Sequence, residues 1–401
     1  MNILIDLRPL QSGKISGVEV FTKNIVKNLI KADREINFFL WTNSHKPVNI
    51  PDFSYKNAFL IQTKIPNKIL NLALGYLRHP HIDRIVKNQA VKQGLMHKKE
   101  HFDAVFLPDL RPAPVSHKTK KYLFLHDLSF IHFPESFSKK TRFWHKIIHY
   151  EKEIHEAKKI FTPSVFTQED LTKTLGVPRW ITRVAPEGVS EEFAPYPEAE
   201  QYNFLKKYNL PKKFILTLST LEPRKNIGTL IEAFSMFCRK NPDEDLYLVI
   251  AGKKDEKLFA KHNLTQEKNV IFTGFIPENE KPLFFASCLF FAFPSLFEGF
   301  GLPILEAMRS QKSVICSNKS SLPELISDPR CLFNPLNKEE VCDKIETVYF
   351  NEKFREIQAE RNLKNSLEYT WQKTALKILN EIQQSGGNCR KTGSYGGKYY
   401  F

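Results

Sequence analysis

No cysteine precedes Cys238, and the six in the chain form no C-x-x-C pair and have no histidines clustered beside them. Disulfide frameworks and zinc sites need such spacings, so these cysteines read as buried free thiols. No apolar run approaches the ~20 residues of a membrane span. The opening MNILIDLRPL is too short, and meets an acid too early, for a secretory leader. It reads as a first buried strand, and a cytoplasmic protein is the expectation. Acidic clusters at ligand spacing are also missing. Only Asp243–Asp245 has the D-x-D form. It precedes an apolar strand instead of following one and reads as a solvated turn, so no metal is expected. Zinc fingers, RNA-recognition motifs and basic repeats are absent too, which leaves a nucleic-acid-binding protein as a remote alternative.

What is present is 401 residues, 42% of them apolar, enough for two domains with cores of their own. The net charge of +15 is unevenly placed. Residues 1–190 carry 30 Lys/Arg against 17 Asp/Glu, and residues 191–401 carry 29 against 27. The first half is therefore suited to an anionic partner: a phosphorylated substrate, a membrane surface or nucleic acid.

Apolar runs alternate with helical patterns along both halves. NILIDL, NFFLWTN, AFLIQT, DAVFLP, KYLFLHDL and KKIFTPS read as strands, and VEVFTKNIVKNLIKA and TQEDLTKTLG as helices. The proline- and acid-rich PYPEAEQ, Pro195–Gln201, reads as a linker, after which the alternation restarts with KFILTLST. Strands apolar on both faces, separated by helices, call for parallel sheets covered on both sides. The expected class is α/β, two doubly wound domains with a ligand cleft between them at the carboxyl ends of the strands. A long helical pattern runs from Lys338 to Gln384, and the polar, glycine-rich end reads as a disordered tail.

Within FEGFGLPILEAM, Gly299 and Gly301 permit a tight turn and Pro303 suits the first helical position. Glu298 then lies in the loop and Glu306 one turn into the helix. Two readings of Glu306 stand on these residues alone. It complements the helix dipole, or it faces something docked at the free N–H groups of the helix start. Arg224 and Lys225, in LEPRKNIG, occupy an equivalent strand–loop–helix junction, where a guanidinium and an ammonium suit a diphosphate.

TLEPRKNIGTLIEAF, VIFTGFI, FAFPSLFEGFGLPILEAM and SSLPELI, in that order, resemble the nucleotide-sugar domain of the family-four retaining glycosyltransferases (glycosyltransferase group 1). SGVEVFTKNIVKNL, FLHDLSFIHFPE, KKIFTPSVFTQEDL and VAPEGV extend the likeness into the first half. The resemblance implies the GT-B fold, two facing Rossmann-like domains. It implies an acceptor-binding domain at 1–190, a linker at 191–202 and a nucleotide-sugar domain at 203–365. A C-terminal helix at 366–384 would pack back toward the first domain, leaving a tail at 385–401.

By the same resemblance, Arg224 and Lys225 neutralise the donor diphosphate, Glu298 contacts hydroxyls of the transferred sugar, and Glu306 binds the ribose. Amides of Phe300, Gly301 and Leu302 meet sugar or phosphate oxygens, and Gly274, Phe275 and Ile276 lie beside the nucleobase. Gly17 approaches the diphosphate and His126 lies near the reacting sugar. Read without the resemblance, His126 is a core histidine at a strand end, and Gly17 a turn residue before the helix, a role compatible with the other. One departure stands out: after LPILEAM, the segment Arg309–Ser313 lacks the glycine usual in the family.

The implied function is metal-independent, cofactor-free transfer of a hexose from a nucleotide-diphosphate sugar to a glycan or lipid-linked acceptor, with a disaccharide phosphorylase as alternative. KIPNKILNLALGYLRHPHIDRIVKNQAVKQGLMHKK and SKKTRFWHKIIHYEKEIHEAKK, the latter with Trp144, mix bases and apolar residues at helical spacing. They fit peripheral contact with the anionic inner face of a membrane, or simply helices covering the sheet with their bases in solvent.

Overall fold

The computed structural model describes residues 1–12, 16–45, 53–139, 141–142, 149–220, 222–252 and 269–385. Seven strands form a first parallel sheet: β1 (Asn2–Asp6), β2 (Asn37–Asn43), β3 (Ala58–Thr63), β4 (Ala104–Leu107), β5 (Lys120–Phe124), β6 (Lys159–Thr162) and β7 (Thr182–Val184). Their order is β3-β2-β1-β4-β5-β6-β7, and Ile3 of β1 pairs with Phe38 on one side and Ala104 on the other. The second sheet holds β8 (Phe214–Leu218), β9 (Tyr247–Ala251), β10 (Val270–Gly274), β11 (Phe290–Phe293), β12 (Val314–Ser317) and β13 (Leu332–Phe333), in the order β10-β9-β8-β11-β12-β13. Each chain segment winds outward from its first strand in one direction and then in the other. Winding reverses between β1 and β4 and again between β8 and β11. Loops diverge at such points and leave a crevice beyond the carboxyl ends of the strands.

The helices follow from spacing and caps. In α1 (Gly17–Ala32), Phe21, Ile25, Val26, Leu29 and Ile30 are buried on the face toward the sheet. The Ser16 N–H donates to the Glu19 carboxylate at 2.8 Å, which accounts for the sequence SGVE at this helix start. Helices α2 (Val165–Leu175), α3 (Ile227–Lys240) and α4 (Leu302–Arg309) follow β6, β8 and β11. In α5 (Trp371–Ser385), Trp371, Ala375, Ile378, Leu379 and Ile382 enter the first domain's core beside Phe21 and Ile25. Gln383 Nε2 donates to Asp33 Oδ2 at 3.0 Å, tying the end of that helix to the end of α1.

Three stretches differ from the sequence expectation. PYPEAEQ is not loop throughout: a helix spans Glu198–Tyr208, with Glu198 and Glu200 in its first turn, where their charge complements the dipole. The pattern from Lys338 is broken into Lys338–Phe350, Glu352–Ser366 and α5. Asn351 starts the second piece by accepting from Phe354 N at 2.9 Å. The basic stretch after β3 forms a helix at Asn67–Leu72, a π turn at Ala73–Leu77 and a helix at Ile82–Lys92. Trp144 and residues 386–401 lie outside the described residues. Among the described residues, no helix is long and apolar enough to cross a membrane.

Candidate active site

The loop after β8 carries Glu222, Arg224 and Lys225, and the loop after the adjacent β11 carries Phe297–Gly301. These two loops line the switch-point crevice of the second domain. Lys225 Nζ lies 2.6 Å from Glu298 Oε1, and Arg224 Nη1 lies 3.1 Å from Glu298 Oε2. Arg224 Nη1 also donates to Phe297 O at 2.5 Å, and its Nη2 pairs with Glu222 Oε1 at 2.6 Å. Burial alone would raise the pKa of Glu298, but Lys225 and Arg224 hold it down at about 2. The same contacts keep Arg224 firmly charged despite its burial.

Helix α4 begins at Leu302, so Pro303 is its second residue and not its first; an N–H there is still unpaired, and proline costs nothing. Gly301 turns the chain with φ +109°, and a Cβ there would stand 2.9 Å from Leu322 Cδ2. Ser321 Oγ holds the loop from behind, donating to Glu298 O and Phe300 O at 3.0 Å each. The N–H groups of Phe300, Gly301 and Leu302 have no partner among the described residues. One turn on, the Glu306 carboxylate is buried and accepts no hydrogen bond among the described residues. Burial, reinforced by Glu278 and Glu187 and opposed by Lys281, pushes its pKa up to about 7. Lys281 itself pairs with Glu278 at 2.7 Å.

Of the three residues read as lying beside a base, Gly274 turns the end of β10 with φ +74°, Phe275 is 62% exposed and Ile276 is buried in the core. Phe275 alone presents a ring to the outside. In the first domain Gly17 is the exposed first residue of α1. His126 follows β5, with Nδ1 3.1 Å from Glu187 Oε1 and Nε2 2.9 Å from Pro108 O. Asp127 caps the next segment, accepting from Ser129 N at 2.8 Å.

The two domains meet at the site. Ser164 Oγ and Thr167 Oγ1, at the start of α2, donate to Gly299 O at 2.6 and 3.1 Å. A Cβ on Gly299 would lie 1.9 Å from His126 O, so only glycine allows this approach. The Glu324 carboxylate crosses to cap α2, accepting from Phe166 N at 2.7 Å and Val165 N at 3.0 Å. The Phe297 ring packs, tilted or edge-on, against His132, Phe133 and Phe166 of the first domain at 5.2–5.5 Å.

Arg224, Lys225 and Glu298 thus come together beside the α4 amides, while Glu306, one turn on, faces the charges of Lys281, Glu278 and Glu187, and the backbone O of His126 meets the same loop at Gly299 from the other domain. Sequence reasoning missed Glu187, Glu222 and Glu324. Glu187 and Glu324 lie inside quoted motifs, VAPEGV and SSLPELI, and Glu187 follows a strand end, the usual position of site residues. Only their partners single them out: His126 within the first domain for Glu187, Arg224 for Glu222, and the α2 amides across the cleft for Glu324.

Two facing Rossmann-like domains closing on a charged switch-point crevice define the GT-B fold. The family model of the group 1 glycosyl transferases matches residues 200–365. The O-antigen chain mannosyltransferase B of Escherichia coli is 30% identical over 64% of this chain and 68% of that protein. The chain belongs to the group 1 glycosyltransferases. It is also similar to the serotype-specific mannosyltransferase WbdA of Escherichia coli, at 37% identity over 47% of this chain but only 24% of that longer protein. Among solved structures, Anabaena HepE in complex with UDP-glucose aligns over 96% of this chain and all of that one, with TM-score 0.66 and 17% identity.

Proposed function

We propose that this glycosyltransferase moves a hexose, with mannose favoured, from a nucleotide-diphosphate sugar to a glycan or lipid-linked acceptor in surface polysaccharide or glycolipid synthesis. The reading includes retention at the anomeric carbon and no required metal or cofactor. One observation carries it: Arg224, Lys225 and the amides of Phe300, Gly301 and Leu302, unpartnered among the described residues, converge beside the pinned carboxylate of Glu298. Cations and free amides suit a diphosphate, and ionised Glu298 suits sugar hydroxyls. The Glu306 carboxylate, buried without a donor among the described residues, suits the ribose hydroxyls. The mannosyltransferase relatives support the choice of sugar.

In this reading the electron pair of the breaking anomeric C–O bond stays on the diphosphate. Arg224, Lys225 and the α4 amides take up that growing charge, the role a metal fills in other enzymes. The acceptor hydroxyl attacks from the same face and passes its proton to the departing phosphate oxygen. Glu298 is not the nucleophile, because two cations hold its lone pairs.

Peripheral contact with an anionic membrane belongs to the same reading. Ile69, Leu72, Tyr76 and Leu77 are 57–66% exposed beside the exposed Lys64 and Lys68. They follow β3, at the same end of the sheet as the cleft. Asn43 Nδ2, at the end of β2, donates to Ile65 O and to Asn67 Oδ1 at 2.8 Å each, fixing the base of that helix. Co-sedimentation with phosphatidylglycerol vesicles, lost in Leu72→Glu/Tyr76→Glu, tests it; equal binding by that variant overturns it.

The main test is a thermal-shift screen against guanosine and uridine diphosphates and their sugars, followed by NMR of the product and assay in EDTA. Ligands of the native state raise its stability by RT ln(1 + [L]/Kd). No shift with any nucleotide sinks the donor assignment. An inverted product anomer sinks retention, and loss of activity in EDTA sinks metal independence.

A further inference from the structure

We propose that Glu187 is a positioning residue for glycosyl transfer: it holds His126 as an imidazolium whose two N–H groups both bond within the protein, so the ring supplies fixed positive charge beside the crevice and not a proton. The inference rests on the transferase reading above. It starts from the two oxygens flanking the ring. Glu187 Oε1 lies 3.1 Å from Nδ1 and Pro108 O lies 2.9 Å from Nε2. A neutral imidazole has one N–H and would turn its remaining lone pair toward one of these acceptors. The doubly protonated ring donates to both.

Glu187 is 4% exposed, and among the described residues its carboxylate accepts no other hydrogen bond. A buried carboxylate without a cation is costly, so each member of the pair stabilises the charge on the other. Its orientation is imposed from outside the site. Ala185 N bonds Thr162 O at 2.8 Å, and Thr374 Oγ1 of α5 donates to Pro186 O at 2.5 Å. A Cβ on Gly188 would stand 2.3 Å from Trp371 N, so the chain after β7 lies directly on the start of α5. The returning C-terminal helix therefore aims Glu187 at His126.

The charged groups acting on the ring are Glu187 and Asp109, with Phe21 and Phe124 rings at 4.8 and 4.9 Å on its apolar sides. Burial alone would lower the pKa of His126. The hydrogen bond and charge of Glu187, then Asp109 and the Pro108 carbonyl, outweigh it and leave the value raised. A raised value extends the imidazolium to higher pH than in an ordinary histidine, and the charge is lost as pH rises through it. His126 follows the carboxyl end of β5, and its backbone O abuts Gly299, the neighbour of Glu298, so the residue borders the loop that would hold the sugar. A cation there favours the transition state, in which the diphosphate gains negative charge.

The experiment is NMR of protein labelled with ¹⁵N-histidine, from about pH 5.5 to 9, spanning the titration of an ordinary histidine. Signals of His126 are assigned with His126→Gln, and kinetics are measured in parallel on wild type, Glu187→Gln and Glu187→Asp. In wild type both ring nitrogens should be protonated at neutral pH. In Glu187→Gln the ring should be neutral there, and the alkaline limb of kcat should move to lower pH. kcat should fall roughly tenfold, less than the 10²–10³ of a donor touching the substrate, with donor KM nearly unchanged. Glu187→Asp should restore part of both effects. A neutral wild-type ring at neutral pH overturns the proposal. So does a Glu187→Gln variant that melts earlier yet keeps its ring protonation and pH profile. Ring protonation is read without turnover, so failure of the transferase reading would show separately, as no nucleotide-induced thermal shift.

Discussion

Glu306→Gln should make the empty protein more stable while weakening its hold on nucleotide. The buried carboxylate finds no hydrogen-bond donor among the described residues, and its pKa stands at about 7 in place of 4.5. At about 1.4 kcal/mol per tenfold, that displacement corresponds to about 3 kcal/mol. Because the folded-state value is raised, the cost is absent below the unfolded value, grows as pH rises and is complete above about 7. Glutamine keeps the shape and removes the charge. At pH 8 the variant should therefore gain up to about 3 kcal/mol, and at pH 4 almost nothing. With roughly 2–4 °C per kcal/mol for a domain of this size, the upper bound on the melting shift is about 12 °C. Thermal melts of both proteins across that pH range, with and without nucleotide diphosphate, read both effects. Wild-type and variant curves that stay parallel from acid to alkaline pH would refute the reasoning. So would a variant that keeps the full nucleotide-induced shift, since the carboxylate would then have no ligand to meet.

Arg224→Ala should lower kcat/KM by about 10²–10³, the usual loss for one preorganised donor, and should raise the pKa of Glu298, which keeps only Lys225 as its cation. Donor titrations and a pH profile of the folded variant check both. Gly299→Ala should abolish activity while leaving each domain folded, because its Cβ would need the place of His126 O; small-angle scattering should show a wider molecule. Glu324→Ala removes the carboxylate that caps α2 from the opposite domain and should cost about 0.5–2 kcal/mol. Faster hydrogen exchange at Val165 and Phe166 is the expected signature, and unchanged exchange there would show that the cap does not hold the cleft shut.

The architecture was legible because burial on both faces leaves a mark on the chain. The strand core FFLW is apolar at every position because helices cover it above and below, so alternation alone announced two wound sheets. The site was legible where local chemistry is self-contained. The glycine turn before α4 and the adjacent cations of the β8 loop each show in a few residues. Helix boundaries were less so: PEAEQ reads as linker by composition, yet its acids serve the first turn of a helix. The break at Asn351 depends on a side chain choosing a backbone N–H three residues on.

Sequence by itself determined the fold class, the crevice-forming loops and the residue types brought to them, because those follow from periodicity and turn chemistry within short windows. Tertiary structure alone decided what each charge does. Glu298 and Glu306 stand eight positions apart with similar surroundings in the text. One is pinned as an anion at about 2 by two cations, and the other is pushed to about 7 by burial without a donor. Glu187 and His126 are 61 residues apart, and Glu324 lies 158 residues from the Phe166 amide that it caps. No local pattern encodes those pairs, since they exist only once two sheets and a returning helix have closed on one another.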